Sequence, residues 1–135
     1  MPGHPTPDDQ LTQLTHALRL LPRVPHGHAA VTWRALPRIV PACHLVTGDR
    51  VLLRVPTGQA GARVLDGSVV AYEANNHGGD GPPWGAQLIG TATLADPDAS
   101  ERAAFPAPPA HERQPESAYL RLIPRFASVR DATRS

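Results

Sequence analysis

Near the start of the chain, apolar side chains recur every three or four positions. Leu11, Leu14, Leu18 and Leu21 fall on one face at helical spacing. Thr6 stands where an N-cap belongs, Pro7 suits the first helical position, and Asp8 and Asp9 fall where the helix dipole favours acid. Pro22 and Pro25 stop the pattern. Beyond them the period shortens to two, which predicts strands over residues 29–33, 38–46, 50–55, 68–75, 84–94 and 119–129. In the third, Val51, Leu53 and Val55 share one face, and Leu52 and Arg54 the other. In the fifth, Trp84, Ala86, Leu88, Ala92 and Leu94 face one way. In the last, Leu120, Leu122 and Phe126 lie on one side, and Pro124 predicts an edge position or a bulge.

Turn signals separate these runs. Residues 34–37 read as a turn, and Thr47-Gly48-Asp49 is a hairpin signal. Residues 57–67 are Gly-rich, with a short helix expected at 60–65, and 76–83 form a Gly- and Pro-rich loop. A second short helix starts at Asp96-Pro97-Asp98 and ends near Phe105. Pro106, Pro108, Pro109 and Pro115 make residues 106–117 a crossing loop. The expectation is a mainly β fold: six antiparallel strands in a small barrel or sandwich, with an N-terminal helix and one or two short helices. Residues 1–135 form one domain, with tails at 1–7 and 130–135.

Composition narrows the chemistry. Thirteen basic and 12 acidic residues leave a net charge of +1, so nothing calls for nucleic acid or an anionic membrane. All the basic residues are Arg, which removes Lys nucleophiles and Schiff bases. The single cysteine, Cys43, excludes an internal disulfide and a four-cysteine zinc site. No apolar run reaches the roughly 18 residues that span a bilayer. Residues 1–10 lack the features of a signal peptide, so a cytoplasmic protein is expected.

Several constellations invite a chemical reading. His26, His28 and His44 could supply imidazoles to a metal, but His26 precedes the predicted strand and seven His will fall together by chance; no metal site is assigned. Cys43 and His44 are adjacent on a strand and point to opposite faces, so they make no catalytic dyad. Cys43 reads as a buried, inert thiol. Gly78-Gly79-Asp80-Gly81 lacks the Lys and the strand-to-helix setting of a phosphate loop. Glu73 reads as a buried carboxylate without a partner. No residue stands out as a general acid or base, and the catalytic residues stay unknown.

A longer pattern emerges from segments in order: Gly27-His28-Ala29-Ala30-Val31-Thr32, residues 36–46 from Leu36-Pro37-Arg38, Gly48-Asp49-Arg50-Val51-Leu52-Leu53-Arg54, Val69-Val70-Ala71-Tyr72-Glu73, the run Trp84-Gly85-Ala86-Gln87-Leu88-Ile89-Gly90-Thr91-Ala92, and Tyr119-Leu120-Arg121-Leu122-Ile123-Pro124. Over roughly residues 8–130 the chain resembles the small actinobacterial members of the pyridoxamine-phosphate oxidase-like, FMN-binding split-barrel family. The resemblance implies a split β-barrel, a homodimer with flavin at the subunit interface, and a small-molecule ligand. It fixes no substrate, since one fold hosts many functions.

The implied cofactor is FMN, with a deazaflavin or no cofactor as alternatives. For the phosphate, the candidates are Arg54 and Arg63, helped by Thr57, Gly58 and Gln59. For the ring, Val40, Pro41, Ala42 and Cys43 offer a backbone, and Trp84 and Gln87 would come from the partner subunit. Two departures stand out. Family members often place Lys or Arg directly after the Thr-Gly pair, where this chain has Gln59 and Ala60, and Arg63 follows about one helical turn later. Members also tend to have Arg before the second-strand Pro and Asn two places after it, where Val40 and Cys43 stand here. Two functions follow: a flavin-dependent oxidoreductase, or a cofactor-free split-barrel binding or interaction module.

Overall fold

The computed structural model describes residues 6–57, 61–107 and 116–131. Helix α1 (Pro7–Leu20) runs into a 3-10 turn (Leu21–Arg23). Strands β1 (His26–Trp33), β2 (Leu36–Thr47), β3 (Arg50–Pro56), β4 (Val69–Asn75), β5 (Trp84–Leu94) and β6 (Ser117–Asp131) follow, with a 3-10 turn at Ala62–Leu65 and helix α2 (Ala99–Ala104) between them. The strands close a barrel in the order β1-β2-β3-β6-β5-β4, every neighbour antiparallel.

α1 begins where its capping box dictates. Thr6 Oγ1 accepts from the Asp9 N–H, and Asp9 Oδ2 accepts from the Thr6 N–H. Ala17, Leu20 and Leu21 then join the barrel core, while Leu11 stays 62% exposed. Pro7 is helical and Arg130 and Asp131 are in β6, so both predicted tails are shorter than expected. His26 opens β1 rather than preceding it, and the β1–β2 turn shrinks to Arg34-Ala35.

The barrel interior is filled from alternate positions, among them Val51, Leu53, Val55, Val70, Tyr72, Leu88, Leu120 and Leu122. β6 carries a bulge: Ile89 pairs with Phe126, but Gly90 pairs with Pro124, which leaves Arg125 unmatched. The bulge reverses the inward parity of β6. Ala127 is therefore buried and Phe126, expected beside Leu122, turns outward. Gly90 is required there, since a Cβ would sit 2.0 Å from the Ile123 carbonyl oxygen. Leu94, at the end of β5, also lies outside the core.

Two strand edges leave β3. β6 pairs with β3 only as far as Leu122, and beyond that its open edge is covered by α1. There the side-chain oxygens of Gln10 and Gln13 accept from the Ala127 and Val129 N–H groups at 3.0 and 2.8 Å. β2 pairs with β3 only from Cys43 onward, and no described strand pairs with residues 36–42 on that side. This is the split in the barrel. No described helix is long and apolar enough to cross a membrane.

Candidate functional site

The open edge of β2 carries Val40, Pro41 and Ala42, with Cys43 at the point where β3 joins. Pro41 is exposed, Val40 half-buried, and Ala42 and Cys43 buried. β1 holds the other side in register, with Ala29 opposite Val40 and Gly27 opposite Ala42. One side of this segment is thus fixed by a ladder, and the other has no strand partner among the described residues.

Arg54 lies directly across from Cys43. Its Nη2 donates to the Pro106 carbonyl at 2.6 Å and to Cys43 Sγ at 3.3 Å, and its guanidinium lies 5.5 Å from the centre of the Phe105 ring. Phe105 packs on Cys43 and Leu52 outside the barrel and meets Tyr119 edge-on. The sequence reading offered Arg54 to a phosphate; the fold engages it in pinning the segment after α2. Thr57 is tied to the residue that precedes β6, since its N–H and Oγ1 both donate to the Glu116 carbonyl. Arg63 stands exposed on the 3-10 turn at Ala62–Leu65, with no ion pair to a described residue. Gly58 and Gln59 lie outside the described residues.

Trp84 and Gln87 belong to another wall. Pro41, His28, Glu73 and Gln87 form one row across β2, β1, β4 and β5 on the outer face. Three strand spacings separate Pro41 from Gln87, about 14 Å along the sheet. One chain therefore does not place both against a single ring. Gln87 and Trp84 instead line a cleft of about 770 Å³, with Glu73, His77, Ser128 and Arg130. Glu73, expected to be buried, is exposed here, and its Oε1 accepts from Asn75 Nδ2. Trp84 itself is only 7% exposed and belongs to the core.

A buried polar cluster went unrecognised in the sequence. His44 is 5% exposed inside the barrel. Its Nε2 lies 2.6 Å from the Leu21 carbonyl, and its Nδ1 lies 2.5 Å from the Tyr72 hydroxyl. A carbonyl only accepts, so Nε2 carries the proton and Nδ1 accepts from Tyr72. Burial, the dominant effect, holds the imidazole below its ordinary pKa, and burial likewise pushes the Tyr72 phenol up. Gly27 makes the arrangement fit, because a Cβ there would meet the Tyr72 hydroxyl at 2.5 Å. His26 and His28 face outward while His44 faces inward, so the three do not converge. Among the described residues no group of three His, Cys, Asp or Glu is placed to hold a metal ion.

Solved structures share this architecture. An FAD-binding protein from Mycobacterium smegmatis superposes with a TM-score of 0.63 at 22% identity, over 87% of this chain and 94% of its own. An FAD- and heme-binding protein from the same species gives 0.59 at 18% identity, over 87% of this chain and 70% of its own. At these identities the likeness is one of fold. The uncharacterised protein Rv0080 of Mycobacterium tuberculosis is 39% identical in an alignment 93 positions long that covers 61% of this chain and 59% of that protein. The sequence profile of the pyridoxamine 5'-phosphate oxidase family matches residues 14–131, from within α1 to the end of β6. That span covers the whole barrel, and the chain belongs to this family.

Proposed function

We propose that the chain is a flavin-binding split-barrel protein that acts as a homodimer, a flavin-dependent oxidoreductase of a small molecule. The observation that carries this reading is the open edge of β2 at Val40–Ala42, a backbone ribbon with no strand pairing on that side among the described residues. A flavin ring offers the alternating donors and acceptors that such an edge takes up. The flavin, when bound, would supply the redox chemistry. This chain's own groups orient it: the β2 edge along the ring, and Thr57 with Arg63 near the phosphate end. Trp84 and Gln87, too distant in the same barrel, would come from the second copy.

A second copy also has a face to sit on. Ile39, Ala30, Ala71, Ile89 and Phe126 make one apolar row across five strands on the outside of the barrel. Ile39 is 76% exposed, and Val69 on the neighbouring row is 65% exposed. Exposed apolar surface of this continuity marks an interface. The Trp84–Gln87 cleft borders this row, so a partner seated there would wall it.

The two flavoprotein neighbours from M. smegmatis bind FAD, which sets FAD beside FMN as the form to test. The engagement of Arg54 with Pro106 and Cys43 favours the second reading, a cofactor-free binding module. One experiment separates them. The purified protein is incubated with FMN or FAD, desalted, and measured for absorption near about 450 nm and for mass by light scattering. Retained absorption at twice the monomer mass supports the proposal. A colourless protein with either flavin leaves the binding module.

A further inference from the structure

A second cleft, of about 500 Å³, adjoins the first and shares Asn75, His77 and Trp84 with it. One wall is the segment from Arg23 to His26, and the other is the loop from Asn75 to Pro82. Both walls are held from behind. His44 Nε2 and the Val24 N–H both donate to the Leu21 carbonyl, which anchors the first wall to a buried imidazole. In the second, every polar group of Asn76 is engaged. Its Nδ2 donates to the Asp80 and Pro82 carbonyls, and its Oδ1 accepts from the Trp84 N–H at 2.8 Å. Its backbone N–H donates to the Trp84 carbonyl, and its own carbonyl accepts from Gly79.

The chemistry of the lining is uneven. Val24, Pro25, Pro82 and Trp84 give flat apolar surface, as small-molecule sites do. Arg23, His26 and His77 are the donors, and Asp80 is the one carboxylate among the described lining residues. The ion pairs among described residues are Arg50–Glu101 and Arg102–Asp96, so Arg23 has no carboxylate of its own. An Arg fork and two imidazoles lining one cleft suit a carboxylate in preference to a neutral group.

We propose that this cleft binds a small planar carboxylate, its anion between Arg23 and the imidazoles of His26 and His77 and its ring against Trp84. The site shares Asn75, His77 and Trp84 with the Trp84–Gln87 cleft, lies away from the open β2 edge, and is tested without a flavin bound.

The test uses flavin-free protein carrying Trp33→Phe, which leaves Trp84 as the only indole. Benzoate is titrated against indole fluorescence, with benzamide as the uncharged control. A saturable change with benzoate is expected, with benzamide bound at least about tenfold more weakly. Arg23→Gln should weaken benzoate by about tenfold, and Asp80→Asn should tighten it by about two- to fivefold, since it removes the one repulsive charge. Arg23 is exposed and unpaired, so its replacement leaves the fold intact. No saturable change, an equal response to benzamide, or unaltered affinity in Arg23→Gln would overturn the proposal. Because no flavin is present, failure here leaves the flavin reading untouched.

Discussion

The two edges that part from β3 have met opposite fates. The far half of β6 leaves β3 after Leu122, and helix α1 lies along it with Gln10 and Gln13 in the place of a neighbouring strand. The near half of β2 leaves β3 before Cys43, and no described element takes its place. An open strand edge is a liability for aggregation, and proteins usually cover it or break it. Here one edge is covered by the N-terminal helix, and the other has no strand partner among the described residues and carries Pro37 and Pro41. The difference teaches where to look for function. A covered edge is architecture, and an edge without a described strand partner is a place for a ligand or a second chain.

The comparison breaks most severely at the bulge. Gly90 allows β5 to pass the Ile123 carbonyl, and the bulge it permits aims the Ala127 and Val129 N–H groups at α1. Gly90→Ala should cost about 3 kcal/mol or more, because the clash is with backbone and cannot be relieved by a rotamer. Urea unfolding checks this; a loss under about 1 kcal/mol would mean that the bulge tolerates a side chain.

Removing the cover itself should cost less. Gln10→Ala with Gln13→Ala leaves two partly buried N–H donors of β6 without acceptors. About 1–3 kcal/mol is expected, with the urea midpoint falling and the slope unchanged. Flavin retention, if the open edge is the site, should not change. Loss of flavin at full helicity would show that the two edges are coupled.

How far these features could be read from the chain depends on the range of the interaction that sets them. The α1 start at Thr6-Pro7 and the limits of β5 at Trp84–Leu94 follow local capping and alternation, and the structure places them as expected. Phe126 was misread because parity along β6 is reset by a bulge whose cause, the Gly90–Ile123 approach, lies in another strand. The contacts of Arg54 with Pro106 and Phe105 were not legible locally, because both residues lie some fifty positions later in the chain. His44 and Tyr72 sit on inward positions 28 residues apart, and only the barrel's closure through β1 makes them neighbours. An inward-facing polar residue on each of two strands, with Gly27 on the strand between, was the signal available.

That cluster gives a third, pH-dependent test of the covered side, since His44 anchors the turn that ends α1. Its folded pKa lies below the unfolded value of about 6.5, so the unfolded chain takes up the proton more readily. Its contribution to stability is therefore full above about pH 6.5 and is lost as pH falls from there through the folded pKa. Urea midpoints between about pH 8 and pH 5 should decline on the acid side, and His44→Gln should flatten that decline. An unchanged slope in His44→Gln would assign the acid sensitivity to other groups.

The smallest effect belongs to the open side. Arg34 and Ala35, at the tip of the β1–β2 hairpin, both adopt positive φ, at 52° and 62°. This is the turn geometry that matches the twist of two strands, but it is ordinarily built with Asn or Gly. Arg34 is partly compensated by its stacking on Trp33, 4.8 Å from the ring centre; the Ala35 methyl offers no such contact. A left-handed Ala costs about 1–2 kcal/mol, part of which Gly returns through its freer unfolded state. Ala35→Gly should thus gain about 0.5–1 kcal/mol in urea unfolding. The hairpin beyond Val31 pairs only within itself, so the gain measures the strain of the open arm with little interference from the barrel. If dimerisation through the Ile39 row holds the arm, the gain should grow as protein concentration rises, because assembly enforces a strained turn that a monomer can escape by fraying. A gain independent of concentration would place the arm outside the interface and confine the partner to the faces of β4 and β5.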